Sequence, residues 1–401
     1  MKRFIFVVPE EEILIDSPRN LEQKLHVSVS VTNDLTTDQR VDRTCRTLEK
    51  MGFDVLLIGR HRTTSKTLLP RSYKMHRMRL LFDKGPWFYA EYNFRLFFFL
   101  LTHKSDMLVS NDLDTLPATF LAWKTFWITG KRKNFMIHDC HEYFRGVPEL
   151  VGRKRVTATW KWLEDRIFPR LKNIVAVNQS VADLYFREYG LPITILRNVP
   201  FRKTLEGKRD KTQFGIRPDQ KVILYQGAVN VDRGLEEAIL AMKHLKTDAV
   251  LVIAGTGDIL IQLQNFAATE KIISKVRFLG QVPFQELHSI TLMADVGLSI
   301  EKDIGVNYHF ALPNKLMDYI QARVPVLVSP FPEMKSIVDQ FQIGEFVHSH
   351  DPTTLARQLD HILNDQDQCM IYKKNTAKAA DVLCWENEEK SLIELVGKAI
   401  E

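Results

Sequence analysis

The sequence predicts an α/β protein built from two doubly wound, parallel-sheet domains that face each other across a cleft. Three observations point there. At 401 residues the chain exceeds what one hydrophobic core usually organises. Short β-branched or aliphatic runs, bounded by turn residues, recur along it and suit strands buried on both faces. The spacers between them are helix-length and carry helical periodicity; Leu235, Ile239 and Met242, for example, fall at i, i+4 and i+7. Strand, helix, strand, repeated in both halves, is the pattern of a doubly wound sheet.

Taken in order, the strand-like runs of the first half are Val27–Val31, Val55–Ile58, Met107–Val109, Phe135–Ile137, Ile174–Val177 and Ile193–Leu196. Those of the second half are Val222–Tyr225, Val250–Ile253, Val276–Leu279, Val296–Ile300 and Val324–Val328. A polar stretch from Lys203 to Lys211 follows Arg197-Asn198-Val199-Pro200, which sets the expected domains at 1–199 and 200–380. Residues 381–401 form a terminal amphipathic helix with Leu392, Leu395, Val396 and Ala399 on one face, free to pack back on the first domain. The first 25 residues precede the first run and fit no element. The aromatic stretch from Trp87 to Phe99 reads as a core helix, with a membrane-surface patch as the alternative.

An apolar share of 45% and a charged share of 26% exclude disordered, collagen-like and coiled-coil classes. Cys45, Cys140, Cys369 and Cys384 are too few and too scattered for a disulfide framework, so a reducing compartment is expected. The apolar run from Phe4 to Pro9 is too short for a signal peptide, and Leu96–Leu101 is far too short to span a bilayer. These features place the chain in the cytoplasm or on the inner face of a membrane.

Charge divides unevenly. Residues 1–200 carry 32 lysines and arginines against 22 acidic residues, whereas the remainder carries 23 against 27. Arg60, Arg62, Lys66, Arg71, Lys74, Arg77 and Arg79 occur with no acid between Asp54 and Asp83. Such a stretch is either a solvated basic face or an attractor of phosphates. Nucleic acid is not the expected partner, because no recognition helix, zinc-ligand or RNP-type signature accompanies it.

Ligands of open parallel sheets bind outside the carboxyl ends of the strands, so chemistry is sought there. Gly227 ends one strand, and Arg233 precedes a helix whose N-terminus favours an anion; a permanent charge at that place suits a diphosphate. Gly255, in Ala254-Gly255-Thr256-Gly257, lies at a second strand end. Pro313 suits the entry of a helix running through Asn314, Lys315, Leu316 and Asp318. Lys315 in its first turn opposes the helix dipole unless an anion lies between, and Asp318 can accept hydrogen bonds from the vicinal hydroxyls of a ribose. Solvated side chains on an ordinary amphipathic helix are the alternative. His138-Asp139-Cys140-His141-Glu142 ends a first-half strand. Alternation puts Asp139 and His141 on one face and His138 and Cys140 on the other, which disfavours a metal site. A structural histidine and a cleft-facing, sugar- or proton-handling His141 both remain open.

Linked together, these pieces resemble the retaining glycosyltransferases of family 4, with their two-Rossmann GT-B architecture. The resemblance runs from about Val27 to the C-terminus. It rests on Asn33-Asp34-Leu35, Asp38-Gln39-Arg40-Val41, Ser110-Asn111-Asp112-Leu113, Asp139-Cys140-His141-Glu142 and Arg197-Asn198-Val199-Pro200. In the second half it rests on Gly227 to Gly234, Ala254 to Gly257, Phe278-Leu279-Gly280 and Leu312 to Tyr319. It implies that the second domain binds a nucleoside-diphosphate sugar and the first binds a glycan or lipid-linked acceptor, as in bacterial surface polysaccharide and lipopolysaccharide assembly, without metal or cofactor. By position, Arg233 meets the donor diphosphate, Asp318 the ribose, His141 the transferred sugar, and the backbone around Gly280 to Val282 the base. Asn33, Asp34, Asp139 and Glu142 fall on the acceptor side.

Two departures stand out. The first acid of the family's E-x7-E motif falls on Phe310, and its usual first basic residue on Ala228. Lys315 and Glu301 are the residues expected to stand in for them. Charge developing on the leaving phosphate would then meet Arg233, Lys315 and a helix N-terminus, with peripheral membrane contact through the basic first domain. Rival readings are a sugar-nucleotide epimerase on the same architecture, an inactive nucleotide-sugar-binding protein and, least favoured, a nucleic-acid binder using the 60–79 stretch.

Overall fold

A computed structural model describes residues 24–129, 135–147, 150, 152–207 and 209–400. The first 23 residues, with the Phe4–Pro9 run, lie outside the described residues. Two all-parallel sheets form the frame, as the doubly buried runs require. The first has seven strands in the order β3-β2-β1-β4-β5-β6-β7: β1 (His26–Ser30), β2 (Asp54–His61), β3 (Lys74–Arg79), β4 (Met107–Asn111), β5 (Phe135–Cys140), β6 (Asn173–Ala176) and β7 (Thr194–Ile195). The second has six in the order β10-β9-β8-β11-β12-β13: β8 (Lys221–Gln226), β9 (Ala249–Ala254), β10 (Val276–Gly280), β11 (Val296–Ser299), β12 (Val326–Val328) and β13 (Gly344–Phe346). Eleven of these match the runs expected above.

The two not expected, β3 and β13, are both edge strands. An edge strand lacks the doubly buried apolar signature and is kept from further pairing by charge or brevity. β3 reads Lys-Met-His-Arg-Met-Arg, and β13 has three residues. Much of the basic stretch therefore serves the fold. Arg71 bonds Leu35 O and Tyr73 Oη, Lys74 pairs with Asp54 at 2.9 Å, and Arg77 donates to Lys66 O.

Helices cover both sheets. α1 (Gln39–Lys50) lies over one face of the first sheet; α2 (Gly85–Thr102), α3 (Asp112–Ile128), α4 (Lys154–Ile167) and α5 (Gln179–Tyr189) cover the other. In the second domain α6 (Leu235–His244), α7 (Leu260–Thr269) and α12 (Pro352–Asn364) pack on one face. α10 (Asn314–Gln321), α11 (Pro332–Phe341) and α13 (Gln366–Val382) pack on the opposite face. Between them run α8 (Phe284–Thr291) and the single turn α9 (Val306–His309). The aromatic stretch is α2, and the core reading covers one face of it. Phe88, Tyr92, Leu96 and Leu100 are buried, whereas Trp87, Phe94 and Phe98 face outward. Among the described residues no helix is long and apolar enough to cross a membrane, and the four cysteines are free.

The last helix, α14 (Trp385–Ile400), runs back to the first domain. Trp385 is fully buried, and its indole N–H donates to Thr47 Oγ1 at 3.0 Å. Glu389 accepts from Thr47 and Lys50, and Glu388 from Arg197. Leu392 and Val396 extend the same contact, so one apolar cluster runs continuously from the first sheet to the second. Trp385→Ala removes the largest side chain at this junction and should cost about 3–5 kcal/mol in denaturant unfolding, with Trp385→Phe retaining most of the stability. Equal stability of wild type and the alanine variant would contradict this anchoring role.

Candidate active site

Loops at the carboxyl ends of the second sheet build the site. β8 ends at Gln226 and turns through Gly227, whose φ of +125° favours glycine. β9 ends at Ala254, and its loop stacks on that of β8: Gly227 N donates to Ala254 O at 3.0 Å and Val229 N to Thr256 O at 3.0 Å. A Cβ on Gly255 would lie 1.8 Å from Gly227 O, so backbone packing itself requires glycine there.

β11 delivers Glu301 just past its end. The carboxylate is 1% exposed. It accepts a hydrogen bond from the Lys315 ammonium, lies 3.6 Å from the Arg233 guanidinium, and accepts from Ser299 Oγ at 2.9 Å. Burial opposes its ionisation, but Lys315 outweighs that cost and holds the carboxyl below the ordinary glutamate value. The Lys315 ammonium also lies 4.2 Å from the Tyr225 ring centroid, and Arg233 stacks 4.8 Å from that of Tyr308. Two cations thus share one carboxylate, leaving an excess positive charge. Arg233 Nε is buried with no hydrogen-bond partner. Nearby, α6 follows Gly234 and α10 follows Pro313, neither with a side-chain cap, so their first amides and dipoles add to the positive field. Chemically this is a receptacle for an anion.

The remaining donor-side expectations fall unevenly. Asp318 is not solvated: Oδ1 accepts from Lys203 Nζ at 2.9 Å and Oδ2 from Gln226 Nε2 at 3.0 Å. An ionised carboxylate has about four acceptor sites, so capacity for further hydroxyl donors remains. The Asn314 side chain accepts from Asn198 Nδ2 at 2.8 Å. Leu316 offers the site nothing and is corrected here: its side chain is fully buried in the core and its amide bonds Pro313 O at 3.0 Å. Gly280, with φ +65°, ends the edge strand β10, and Val282 stands in the turn after it. Phe310 presents no carboxylate; its carbonyl accepts from Asn178 Nδ2 at 2.8 Å, joining the two domains.

On the first domain, β5 ends at Cys140 and His141 follows. His141 Nε2 lies 3.0 Å from Asn111 Oδ1 and 3.4 Å from Asp139 Oδ2, and its amide donates to Asp112 Oδ1 at 2.9 Å. Nδ1 stands 3.6 Å from Asp112 Oδ2, beyond a hydrogen bond. Burial disfavours the imidazolium, but Asp112 and Asp139 outweigh it and push the pKa up to about 9. Asp139, for its part, is buried and grips Arg40 through two bonds of 3.1 and 2.7 Å, so it positions rather than contacts. Asn33 and Asp34 order their own loop, through Asp38 and through Thr36 and Ser65, beside a polar cleft of about 360 Å³. Glu142 accepts from Asn307 Nδ2 at 3.1 Å across the gap. That bond lies one residue from His141 and one residue from Tyr308, the ring under Arg233, so it links the two halves of the site.

Sequence reasoning missed Lys203, Gln226, Asn307 and Asp114. Gln226 was legible as the strand-end neighbour of Gly227; the others have no local signal, because their partners are distant in the chain. Asp114 lies beside Asp112, accepts from Thr32 Oγ1 at 2.5 Å, and is pushed up to about 7 by burial and by Asp112. Among the described residues no group of three or more His, Cys, Asp or Glu could hold a metal.

Because the folded-state pKa of His141 is raised, its stabilisation is complete below its unfolded value of about 6.5 and is lost as pH rises through about 9. Melting temperature should therefore fall across that window more steeply in wild type than in His141→Gln. Parallel pH profiles would contradict the assignment.

Two family models match in tandem: glycosyltransferase family 4 over residues 38–199 and glycosyl transferases group 1 over residues 207–379. An uncharacterised glycosyltransferase of Methanocaldococcus jannaschii is 25% identical over 219 residues; the match spans 53% of this chain and about half (52%) of that relative. Among solved structures, sucrose-phosphate synthase from Thermosynechococcus elongatus superposes with a TM-score of 0.74 at 14% identity, covering 94% of this chain and 99% of that one. WaaG, a glycosyltransferase of lipopolysaccharide biosynthesis, gives 0.72 at 16%, covering 92% and 100%. HepE of Anabaena in complex with UDP-glucose gives 0.71 at 12%, covering 93% and 100%. At these identities the superpositions establish the fold, two facing parallel-sheet α/β domains of GT-B type. With both lobes matched in order by their models, the chain belongs to the group 1, family 4 glycosyltransferases.

Proposed function

We propose that the chain transfers a sugar, with retention of configuration, from a nucleoside diphosphate to an acceptor hydroxyl, without a metal. The single observation that carries this reading is the excess positive charge where Arg233 and Lys315 share the buried Glu301. A diphosphate supplies the missing negative charge. HepE with bound UDP-glucose, on the same fold, supports a sugar nucleotide as donor.

The bond between the anomeric carbon and the diphosphate oxygen breaks, and its electron pair goes to that leaving oxygen. Arg233, Lys315 and the uncapped helix ends stabilise that charge as it develops. The acceptor oxygen bonds to the same face of the sugar, and its proton passes to a leaving-group oxygen. His141, charged at neutral pH, is no general base; its Nδ1–H, paired with Asp112 at 3.6 Å but beyond a direct hydrogen bond to it, orients a hydroxyl of the transferred sugar. Asp318 holds the ribose beside Lys203 and Gln226, and the turn from Gly280 to Val282 meets the base. Residues 1–199 serve the acceptor and 200–380 the donor, with 381–401 strapping them together. The outward Trp87, Phe94 and Phe98 support contact with the inner face of a membrane, in keeping with a role in surface polysaccharide assembly.

A thermal-shift panel of nucleoside diphosphates and their sugars tests the donor: a ligand at 100 times its Kd stabilises by about 2.7 kcal/mol. Arg233→Ala should keep the fold, abolish the shift and lower turnover by on the order of 10²-fold or more. A full shift and near-normal turnover in that variant would refute the site.

A further inference from the structure

A cavity of about 650 Å³ lies in the first domain between α2, α3 and α4, a size suited to a ligand. Its walls include Tyr89, Phe144 and Trp160, with the Trp160 ring 5.1 Å from Tyr89 and 5.0 Å from Phe144. One end is carboxylate-lined by Asp112, Asp114 and Glu142. That end adjoins the reacting centre, since Asp112 bonds the His141 amide and Glu142 bonds Asn307 of the opposite domain. The lining reaches the surface at Pro86 and Ala90 on α2, at Arg153 just before α4 and at Thr159 on it, all exposed.

Ala90 stands between Trp87 and Phe94 on the outward face of α2, in a stripe continued by Phe98. These aromatic side chains are 70%, 65% and 49% exposed. Apart from the Glu91–Arg95 ion pair at 2.8 Å, this outward face is apolar, and nothing among the described residues covers it. The cavity therefore joins two unlike environments, an uncovered apolar surface and the hydroxyl-binding carboxylates beside the transferred sugar.

We infer that this cavity seats an amphiphilic acceptor, its neutral, hydroxylated head at Asp112, Asp114 and Glu142 and its hydrocarbon segment along Tyr89, Phe144 and Trp160 toward the α2 face. With Asp112 and Glu142 at the inner end and Arg153 among the exposed lining residues, any charged linker lies outward of the sugar. The assignment rests on the transferase reading and names its acceptor class.

The test compares binding of methyl β-glucoside and of octyl β-glucoside below its micelle concentration, by calorimetry on the full chain. Each buried methylene is worth about 0.8 kcal/mol, so the octyl compound should bind at least ~10-fold tighter even with partial burial. Ala90→Trp and Thr159→Trp, both at exposed positions that leave the core intact, should plug the mouth and abolish that advantage. UDP binding, measured in parallel, should be unchanged by either plug. Equal affinity for the two glucosides, or an octyl advantage that survives both plugs, overturns the inference. So does one lost instead in Phe98→Ser, which marks adsorption to the outer stripe. Failure of UDP alone to bind would refute the transferase reading while leaving the cavity result to stand.

Discussion

A buried carboxylate held between two cations is the constraint on which the proposed site depends. Removing Glu301 from water is costly, and the Lys315 ammonium chiefly offsets that cost, with a hydrogen bond from Ser299 and the Arg233 guanidinium 3.6 Å away. Further fixation comes from Ser329 Oγ, which donates to the Glu301 carbonyl at 2.5 Å. The arrangement explains why a lysine tolerates the first turn of α10 against the helix dipole: its counter-ion is supplied by the neighbouring strand end. It also leaves the cluster one negative charge short. The sheet, the loop-on-loop packing of Gly227 and Gly255, and the uncapped starts of α6 and α10 all serve to hold that deficit at the cleft.

The two lobes are joined unequally. On one side Trp385 and the α14 seam merge their cores into one apolar cluster. Across the gap the contacts are single polar bonds, such as Asn178 to the Phe310 carbonyl and Asn307 to Glu142. Strong attachment on one side with weak, exchangeable contacts on the other is the arrangement a cleft enzyme needs to admit a donor and enclose it.

Much of this was legible in the sequence, for a physical reason: central parallel strands are buried on both faces and announce themselves as apolar runs, and their ends point to the site. Arg233 was identifiable that way, whereas Lys315 is legible from the helix entry after Pro313 and Glu301 only as the acid expected to stand in at Phe310. β3 and β13 were not, because β3 alternates basic residues with apolar ones and β13 is three residues long, whereas the edge strands β7 and β10 keep an apolar run. Pairings between distant residues were equally hidden. Nothing local in Asp318 reveals Lys203, and nothing in Asp139 reveals Arg40, 99 positions earlier. Leu316 shows the opposite error, since a residue inside a binding motif can belong wholly to the core. The cavity between α2, α3 and α4 was invisible for a third reason, as its walls are ordinary aromatic residues that only the packing brings to one space.

The most direct test of the account is the affinity of UDP for Glu301→Gln, measured by titration calorimetry beside wild type. If Glu301 is the internal counter-ion of an anion site, its neutral isostere leaves both cations uncompensated and UDP should bind on the order of tenfold tighter. Unchanged or weaker binding would mean that the two cations are satisfied within the protein, and the charge-deficit account of the site would be wrong.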